Sequence, residues 1–446
     1  MSIEAIYLAW VVASLAMCRL WKPTVAVLGS CLGGWILLPV GAYPVGAGDA
    51  VSPYWIIGLA LPSDMLVSKA WLAPASALLG VVAFDRGALR RLRPTWLDVP
   101  IALWCLWPAA ASLFTDPPRP TAALASAYLA GCWGVPWLLG RLYFATRDGQ
   151  RLLVVGLVLS ALACLPLSVV EGVRGPVFYE AIYGPHPFRL DGVVRYVGFR
   201  PLGFFENGNQ FGLWISLCAL ASLWLARTAP PERGRFWGGI AAVLVAMALA
   251  AQSVGGIVLL ALGAVGLWTC RLVRPRAMIV GATALLVVGG TIYVSGIVPF
   301  NAIAKETSAG REVVNAFRTL GRGSFTWRVA QDQRLLDAAM ARPVVGTGKW
   351  DWWRPEGSRP WSLSMLVLGQ FGATGLLLVL ATLLGPALAI AWSAARTSAW
   401  RPEGLPLLLA ALLLLTVVDA LLNSFIFFPA IVVAGGLAAR AAERGA

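Results

Sequence analysis

The stretch RYVGFRPLGFFENGNQFGLW, residues 195–214, places two arginines, a glutamate, two asparagines and a glutamine at the start of a long apolar run. The run continues to about residue 226, which is long enough to cross a bilayer. Ionisable groups are costly at membrane depth, so those that occur there are functional by default. The start of this span is therefore where we look first for a function.

The whole chain has the composition of a membrane protein. Of its 446 residues 59% are hydrophobic and 13% are charged, against about 25% charged in a soluble domain. We predict an all-α polytopic membrane fold with 12 or 13 transmembrane helices and no cleavable signal sequence. The predicted spans are residues 5–17, 24–44, 65–84, 98–115, 121–140, 152–170, 208–226, 236–252, 254–270, 278–299, 362–394, 404–420 and 424–439.

Arginines and lysines fall on every second connection between these spans, and short basic loops face the cytoplasm. This alternation predicts that residues 171–207 and 300–361 are two large loops on the outer face of the membrane. The remaining parts are N-terminal helices over 1–170, central helices over 208–299 and C-terminal helices over 362–446. Lys69, near the start of its span, is expected to extend its ammonium group to the interface.

The charge and the cysteines restrict the possible ligands. The net charge is +14, and the basic residues of the two large loops favour an anionic ligand on that face; nucleic acid is not an expected partner.

The seven cysteines lie within or at the ends of apolar runs, which predicts packing residues rather than disulfides. A single histidine, His186, makes a histidine metal site unexpected. We expect no metal and no cofactor.

The two large loops differ in pattern. In 300–361 we predict a helix that starts at Ser324, with Phe325, Val329, Leu336 and Met340 on one face, and that Pro343 ends. The tryptophans of this loop could lie at headgroup level in a site or form an ordinary aromatic belt: Trp350, Trp352, Trp353 and Trp361. The loop 171–207 lacks periodicity and is predicted to be irregular but packed.

Three motifs follow one another in the second half of the chain. They are GFFENGNQFG after Arg200, AQSVGG at 251–256, and TWRVAQDQRLLDAAMARPVVGTGKW followed by SLSMLVLGQFGATGLLL. Together with about 12 spans, these motifs resemble the O-antigen ligase and O-antigen polymerase family of bacterial envelope glycosyltransferases. The resemblance covers roughly residues 190–390.

The resemblance implies transfer of a glycan from an undecaprenyl-pyrophosphate carrier, without metal, with arginines binding the pyrophosphate. It places this reaction on the periplasmic face of the bacterial inner membrane, so the two large loops would be periplasmic. Arg200, Asn207 and Asn209 match the family's arginine and asparagines, and Arg328 has the best match in the second loop. Guanidinium groups can bind a pyrophosphate bidentately, and a helix N-terminus favours an anion. We therefore expect Arg200, Arg195 and Glu206 to be catalytic and a second group to bind substrate: Asn207, Asn209, Gln210, Arg189, Arg328, Gln252, Ser253, Lys349 and Arg354.

Two departures bear on the reaction. The family often has arginine where this chain has Val254, and ligases have a histidine 11 residues before a glycine, where counting back from Gly372 reaches Trp361. The missing histidine favours a polysaccharide polymerase, or a relative in exopolysaccharide biosynthesis, over an O-antigen ligase. It leaves the general base open among Glu206, Asp351 and Glu356; Glu206 could equally form an ion pair that orients Arg195 or Arg200.

Two alternatives remain at this stage. One is a transporter or flippase of lipid-linked glycans, although the polar groups collect on one face rather than in paired midplane repeats. The other is a non-catalytic subunit of an exopolysaccharide secretion complex. The expected partners are the lipid-linked glycan and membrane lipid, and the protein could also assemble with a chain-length regulator or other polysaccharide assembly proteins.

Overall fold

The structure is a computed structural model that describes residues 2–40, 68–114, 122–186, 192–270, 272–319, 323–349, 352–393, 401–421 and 423–445. Within these ranges the chain is helical, and its extended segments form a single isolated bridge between Val194 and Phe199. Arg189, Trp350 and Asp351 lie outside the described residues.

The first half of the chain forms ten helices among the described residues. Helices α6 and α7 continue through a π-helical segment, Ala130–Gly134, and a short 3₁₀ turn, Trp96–Asp98, precedes α5. The helices are α1 Ile3–Leu20, α2 Pro23–Leu37, α3 Lys69–Phe84, α4 Arg86–Arg90, α5 Val99–Ser112, α6 Ala122–Leu129, α7 Val135–Tyr143, α8 Arg147–Ala163, α9 Leu165–Arg174 and α10 Phe178–Tyr183.

The second half adds eleven helices within the described ranges. Short 3₁₀ turns lie at Arg354–Glu356 and Pro402–Gly404. The helices are α11 Gly208–Thr228, α12 Pro231–Ala250, α13 Val254–Thr269, α14 Pro275–Ser295, α15 Phe300–Glu306, α16 Ser308–Thr319, α17 Gly323–Arg334, α18 Leu336–Met340, α19 Leu363–Ser393, α20 Leu405–Ala420 and α21 Phe428–Gly445.

Seven of the described helical segments are long and apolar enough to cross a membrane. Four shorter apolar helices, α2, α3, α13 and α20, coincide with other predicted spans. The predicted all-α, multi-pass membrane fold is thereby confirmed. The total of 12 or 13 spans, the inner membrane and the orientation stay predictions.

Helix α11 lies at the centre of the bundle. In the most apolar part of α11, 72% of the residues are buried. The corresponding share in α14 is only 11%, which puts α14 at the periphery. An aromatic cluster around Trp35 of α2 joins three parts of the chain, with ring centroids 5.4 Å from Phe205, 6.0 Å from Trp214 and 5.0 Å from Phe427. The segment just before α11 therefore rests on the packed core.

Helix α19 is broken near its start, which explains the length of its predicted span. Gly372 has φ of 71°, a left-handed conformation that favours glycine. The segment 343–348 pairs with this break: Gly348 N donates to Gln370 O at 2.8 Å and Ala373 N donates to Pro343 O at 2.7 Å. A Cβ on Gly372 would lie 2.2 Å from Val344 O, so this close approach requires glycine.

Most of the described residues in 300–361 are helical, as predicted, but two details of the prediction are wrong. The helix expected from Ser324 is divided between α17 and α18, and the residue between them, Leu335, is fully buried while Met340 is 43% exposed. Trp352 and Trp353 are buried in the protein rather than placed at a membrane surface. Local periodicity could not predict these contacts, because they depend on where α19 packs.

The loop 171–207 is more ordered than its sequence pattern indicates. Helix α9 extends to Arg174, and α10 covers Phe178–Tyr183, so irregular backbone begins only beyond residue 174.

The seven cysteines are free thiols, five of them buried, as expected for packing residues.

Candidate functional site

The segment Arg200–Asn207, which we call the site turn, connects the loop to α11 and is held by buried side chains from distant parts of the chain. Glu171 Oε2 accepts hydrogen bonds from Leu202 N at 2.8 Å and Gly203 N at 2.7 Å. Lys69 Nζ donates to Phe204 O at 2.7 Å. His186 Nε2 lies 3.2 Å from Phe205 O. These contacts fix most of the backbone of the turn.

Lys69 is the least expected of these side chains. It is fully buried, donates also to Trp35 O at 3.1 Å, and lies 4.7 Å from the Trp35 ring and 5.1 Å from the Phe205 ring. The expectation that it reaches an interface is wrong. A buried ammonium requires such compensation, because carbonyl oxygens and aromatic faces must replace the water it loses.

The start of α11 is capped by its own polar residues. Asn207 Oδ1 accepts from Asn209 N at 2.9 Å and from Gln210 N at 3.1 Å, which satisfies donors that the helix leaves unpaired. Gln210 Nε2 donates to Glu206 Oε2 at 2.6 Å, and Glu206 N donates back to Gln210 Oε1 at 3.4 Å. Glu206 therefore hydrogen bonds to Gln210 rather than to Arg195.

Arg200 joins the site turn to two other elements. The side chain is 6% exposed, its Nε donates to Ala251 O at 3.0 Å, and its Nη2 donates to Asn209 Oδ1 at 2.8 Å. A Cβ on Gly208 would lie 2.1 Å from Arg200 Nε, so glycine makes room for the guanidinium group. These contacts give Arg200 a structural role beside any contact with a ligand.

The turn at 251–253 brings the second motif against the first. Gln252 has φ of 49° and exchanges hydrogen bonds with Val197, at 2.7 Å from Nε2 to the carbonyl and 3.4 Å from the amide to Oε1. Ser253 is buried against α11, where a Cβ on Gly212 would lie 2.2 Å from the Ser253 Cβ. Gln252 and Ser253, predicted to bind substrate, thus bind other parts of the protein.

Three arginines, which we call the guanidinium cluster, come from two segments: Arg195 before the site turn, and Arg328 and Arg359 from 300–361. Arg328 Nη1 donates to Asn423 Oδ1 at 2.6 Å. The guanidinium carbons of Arg328 and Arg359 lie 5.1 and 4.0 Å from the Trp361 ring. Burial and the positive charges of the other two arginines lower the pKa of Arg328, while two aspartates, Asp419 and Asp332, act in the opposite direction.

Arg195 is the member of the cluster closest to the site turn. Its side chain is half-buried, and its Nε is buried without a hydrogen-bond acceptor among the described residues. A buried donor without an acceptor costs about 1–3 kcal/mol, so an anionic ligand that supplied the acceptor would be favoured here.

Glu206 places a carboxylate beside this positive charge. Burial raises the pKa of Glu206 to about 7, against the opposing influence of Arg359, Lys69 and the hydrogen bond from Gln210. One carboxylate oxygen binds Gln210, and the other accepts no hydrogen bond from the residues that the structure describes. A carboxyl group with such a pKa can hold or release a proton near neutral pH.

Four residues of this region were missed or misinterpreted from sequence. Asp419 is 5% exposed in the last turn of α20, and Asn423 Nδ2 donates to its Oδ2 at 3.0 Å. A carboxylate within the run LLLLTVVDALLN was a signal in itself, because charges inside apolar spans are rare. Lys69 lies inside the predicted span 65–84 and carried the same signal, whereas Arg359, in a polar segment, carried none.

Among the described side chains, the predicted residue Lys349 makes no contact with the cluster. Lys349 is exposed and its backbone amide donates to Thr347 Oγ1, and Arg354 begins a 3₁₀ turn whose Glu356 is exposed. Arg189 lies outside the described residues. Within the described ranges, no group of three or more His, Cys, Asp or Glu side chains could hold a metal ion.

We expect Lys69→Met to lower the stability of the folded protein. Methionine fills the space, but it leaves the buried Phe204 and Trp35 carbonyls without a donor, at about 1–3 kcal/mol each. The matched control is Lys305→Met, because Lys305 is exposed in α15. Thermal unfolding in detergent measures both variants; a Lys69→Met protein that melts at or above the wild-type temperature contradicts this role.

No protein-family model matches the chain, and no curated protein matches it. The resemblance to the O-antigen ligase and polymerase family rests on the three motifs and the predicted spans. Two of those motifs, the site turn with the start of α11 and the turn at 251–253, are in direct contact.

Proposed function

We propose that the protein is a membrane glycan transferase that extends a surface polysaccharide from a polyprenyl-pyrophosphate-linked donor. The observation that carries this proposal is the guanidinium cluster, in which Arg195 and Arg359, from two separate segments, both lower the pKa of Arg328, beside a carboxyl group of pKa about 7. Like charges repel; Asp419 and Asp332 offset part of this repulsion, and an anionic ligand between the arginines would offset more of it.

A diphosphate fits the chemistry of this cluster. Guanidinium groups bind phosphate oxygens through paired hydrogen bonds with defined geometry. In the proposed reaction, an acceptor hydroxyl attacks the anomeric carbon of the donor sugar, a glycosidic bond forms, and the bond from that carbon to the diphosphate breaks. The electron pair leaves with the diphosphate, and fixed positive charges that stabilise the departing group contribute most of the acceleration.

Glu206 is the proposed proton acceptor for the attacking hydroxyl. Its pKa of about 7 suits a general base at neutral pH, and its second oxygen accepts no hydrogen bond from the described residues. Two contacts fix the position of Glu206. Lys69 binds the backbone carbonyl of Phe204, two residues earlier, and Gln210 binds the Glu206 carboxylate. Such fixed positioning limits the loss of entropy in the reacting complex.

We assign the predicted residues two kinds of role. Arg195, Arg328 and Arg359 would contact the diphosphate, whereas Arg200 would hold the site turn, the start of α11 and the 251–253 turn together. The N-terminus of α11 would add its partial positive charge. The polymerase remains favoured over the ligase because Trp361 stands where ligases have histidine, and Trp361 contacts two guanidinium groups here.

We expect Arg195→Ala and Arg328→Ala to reduce glycan transfer by at least about 100-fold, because each removes charge that stabilises the leaving group. Arg328→Lys should recover little activity, since an ammonium group lacks the paired donors of a guanidinium group. The assay is extension of a synthetic undecaprenyl-pyrophosphate oligosaccharide by purified protein, with thermal unfolding as the test of folding.

Arg334→Ala is the matched control, because Arg334 lies in α17 with Arg328 but is exposed. It should keep the wild-type rate. If folded wild-type protein leaves the oligosaccharide unchanged, or if the Arg195 and Arg328 variants both turn over normally, the proposed function is wrong.

We expect the rate of transfer to rise about tenfold per pH unit below pH 7 and to level off above it. Glu206 must be deprotonated to accept a proton, and a carboxyl group with a pKa of about 7 loses its proton as the pH rises through that value. Glu206→Gln should lower the rate and remove this pH dependence, while Glu356→Gln, at an exposed site, should change neither. A wild-type profile in Glu206→Gln would exclude Glu206 as the base.

A further inference from the structure

Trp327 differs in location from the other exposed tryptophans. Five described tryptophans are between 48% and 71% exposed: Trp21, Trp96, Trp268, Trp327 and Trp392. Chain connectivity places four of them at the end of the bundle away from the site turn, because they follow α1, precede α5, or lie at the ends of α13 and α19. Trp327 instead lies in α17, at the same end of the bundle as the guanidinium cluster.

The Trp327 side chain is connected directly to that cluster. Its ring centroid lies 5.1 Å from that of Trp361, with the two planes inclined at 62°. Trp361 in turn contacts the guanidinium groups of Arg328 and Arg359. About half of the Trp327 surface remains exposed, so an apolar ring face is presented beside positive charge.

We propose that Trp327 is a sugar-binding residue, on which the pyranose ring attached to the donor diphosphate stacks. This inference rests on the proposed function. A pyranose ring has one face of C–H groups that packs on an aromatic face, while its hydroxyl groups remain available to polar neighbours. The sugar is bonded to the diphosphate, so its ring must lie next to the arginines that bind that group, and Trp327 presents an exposed aromatic ring there that Trp361 connects to two of these arginines.

A second feature supports a stacking role over contact with lipid. The edge-on contact with Trp361 restrains the Trp327 ring, so little conformational freedom is lost when a ligand binds. The exposed tryptophans at the other end of the bundle have the positions expected of an aromatic belt, and Trp327 does not belong to that set.

The test is binding of two ligands to purified protein: undecaprenyl pyrophosphate that carries the sugar, and undecaprenyl pyrophosphate without it. Trp327→Ala should weaken binding of the glycosylated ligand by about three- to tenfold, the size expected of one aromatic contact, and leave binding of the bare diphosphate unchanged. Trp327→Phe should bind both ligands nearly as well as the wild type, because a flat ring remains. Trp96→Ala, at the opposite end of the bundle, is the matched control and should change neither affinity.

The outcomes separate this inference from the proposed function. Failure of the wild type to bind either ligand would contradict the proposed function itself. If the wild type binds both ligands and Trp327→Ala weakens both equally, Trp327 contacts the lipid or the diphosphate and the inference is wrong. Unchanged affinity for the glycosylated ligand in Trp327→Ala would overturn it as well. If Trp327→Ala does not fold, Trp327→Leu, which lacks a ring face, replaces it, with the same results expected and Trp327→Phe as its folded reference.

Discussion

The buried ammonium group of Lys69 holds the Phe204 carbonyl, and the rest of the candidate site depends on that contact. It connects α3 in the N-terminal half to the turn that precedes α11, over a separation of 135 residues. A lysine without water must have strong partners, and here they are two carbonyl oxygens and two aromatic rings. The backbone of the turn therefore has little freedom, and Glu206 and Arg200 project from defined positions.

The polar residues near the turn divide into a scaffold and a reactive group. Arg200, Asn207, Asn209, Gln210 and Gln252 bind protein atoms, so they set the shape of the site. We assign contact with a ligand to the guanidinium cluster and to one oxygen of Glu206; Arg328 also donates to Asn423, and the Trp361 ring contacts two of the arginines. This division is typical of sites in which binding groups are positioned before the substrate arrives. In the proposed transferase, the carrier lipid would reach the site from the bilayer.

Hydropathy predicted the apolar helices well, because the cost of exposing backbone and charge to lipid leaves few alternatives to such helices. The cap at Asn207 could also be predicted, since it depends on residues two and three positions away. Lys69, Trp352 and Trp353 were misplaced because their environments come from distant helices. Asp419 could have been found, as a carboxylate inside an apolar run. The proximity of Arg359 to Arg328 could not be predicted, because it depends on how α17 packs near the start of α19.

The central claim is that arginines from two segments bind one diphosphate. An experimental structure of the protein in a lipid disc with undecaprenyl pyrophosphate measures this directly. We predict density for the diphosphate in contact with Arg195, Arg328 and Arg359, near Glu206 and the start of α11. A diphosphate bound elsewhere, or these side chains turned away from one another with the ligand present, would contradict the account.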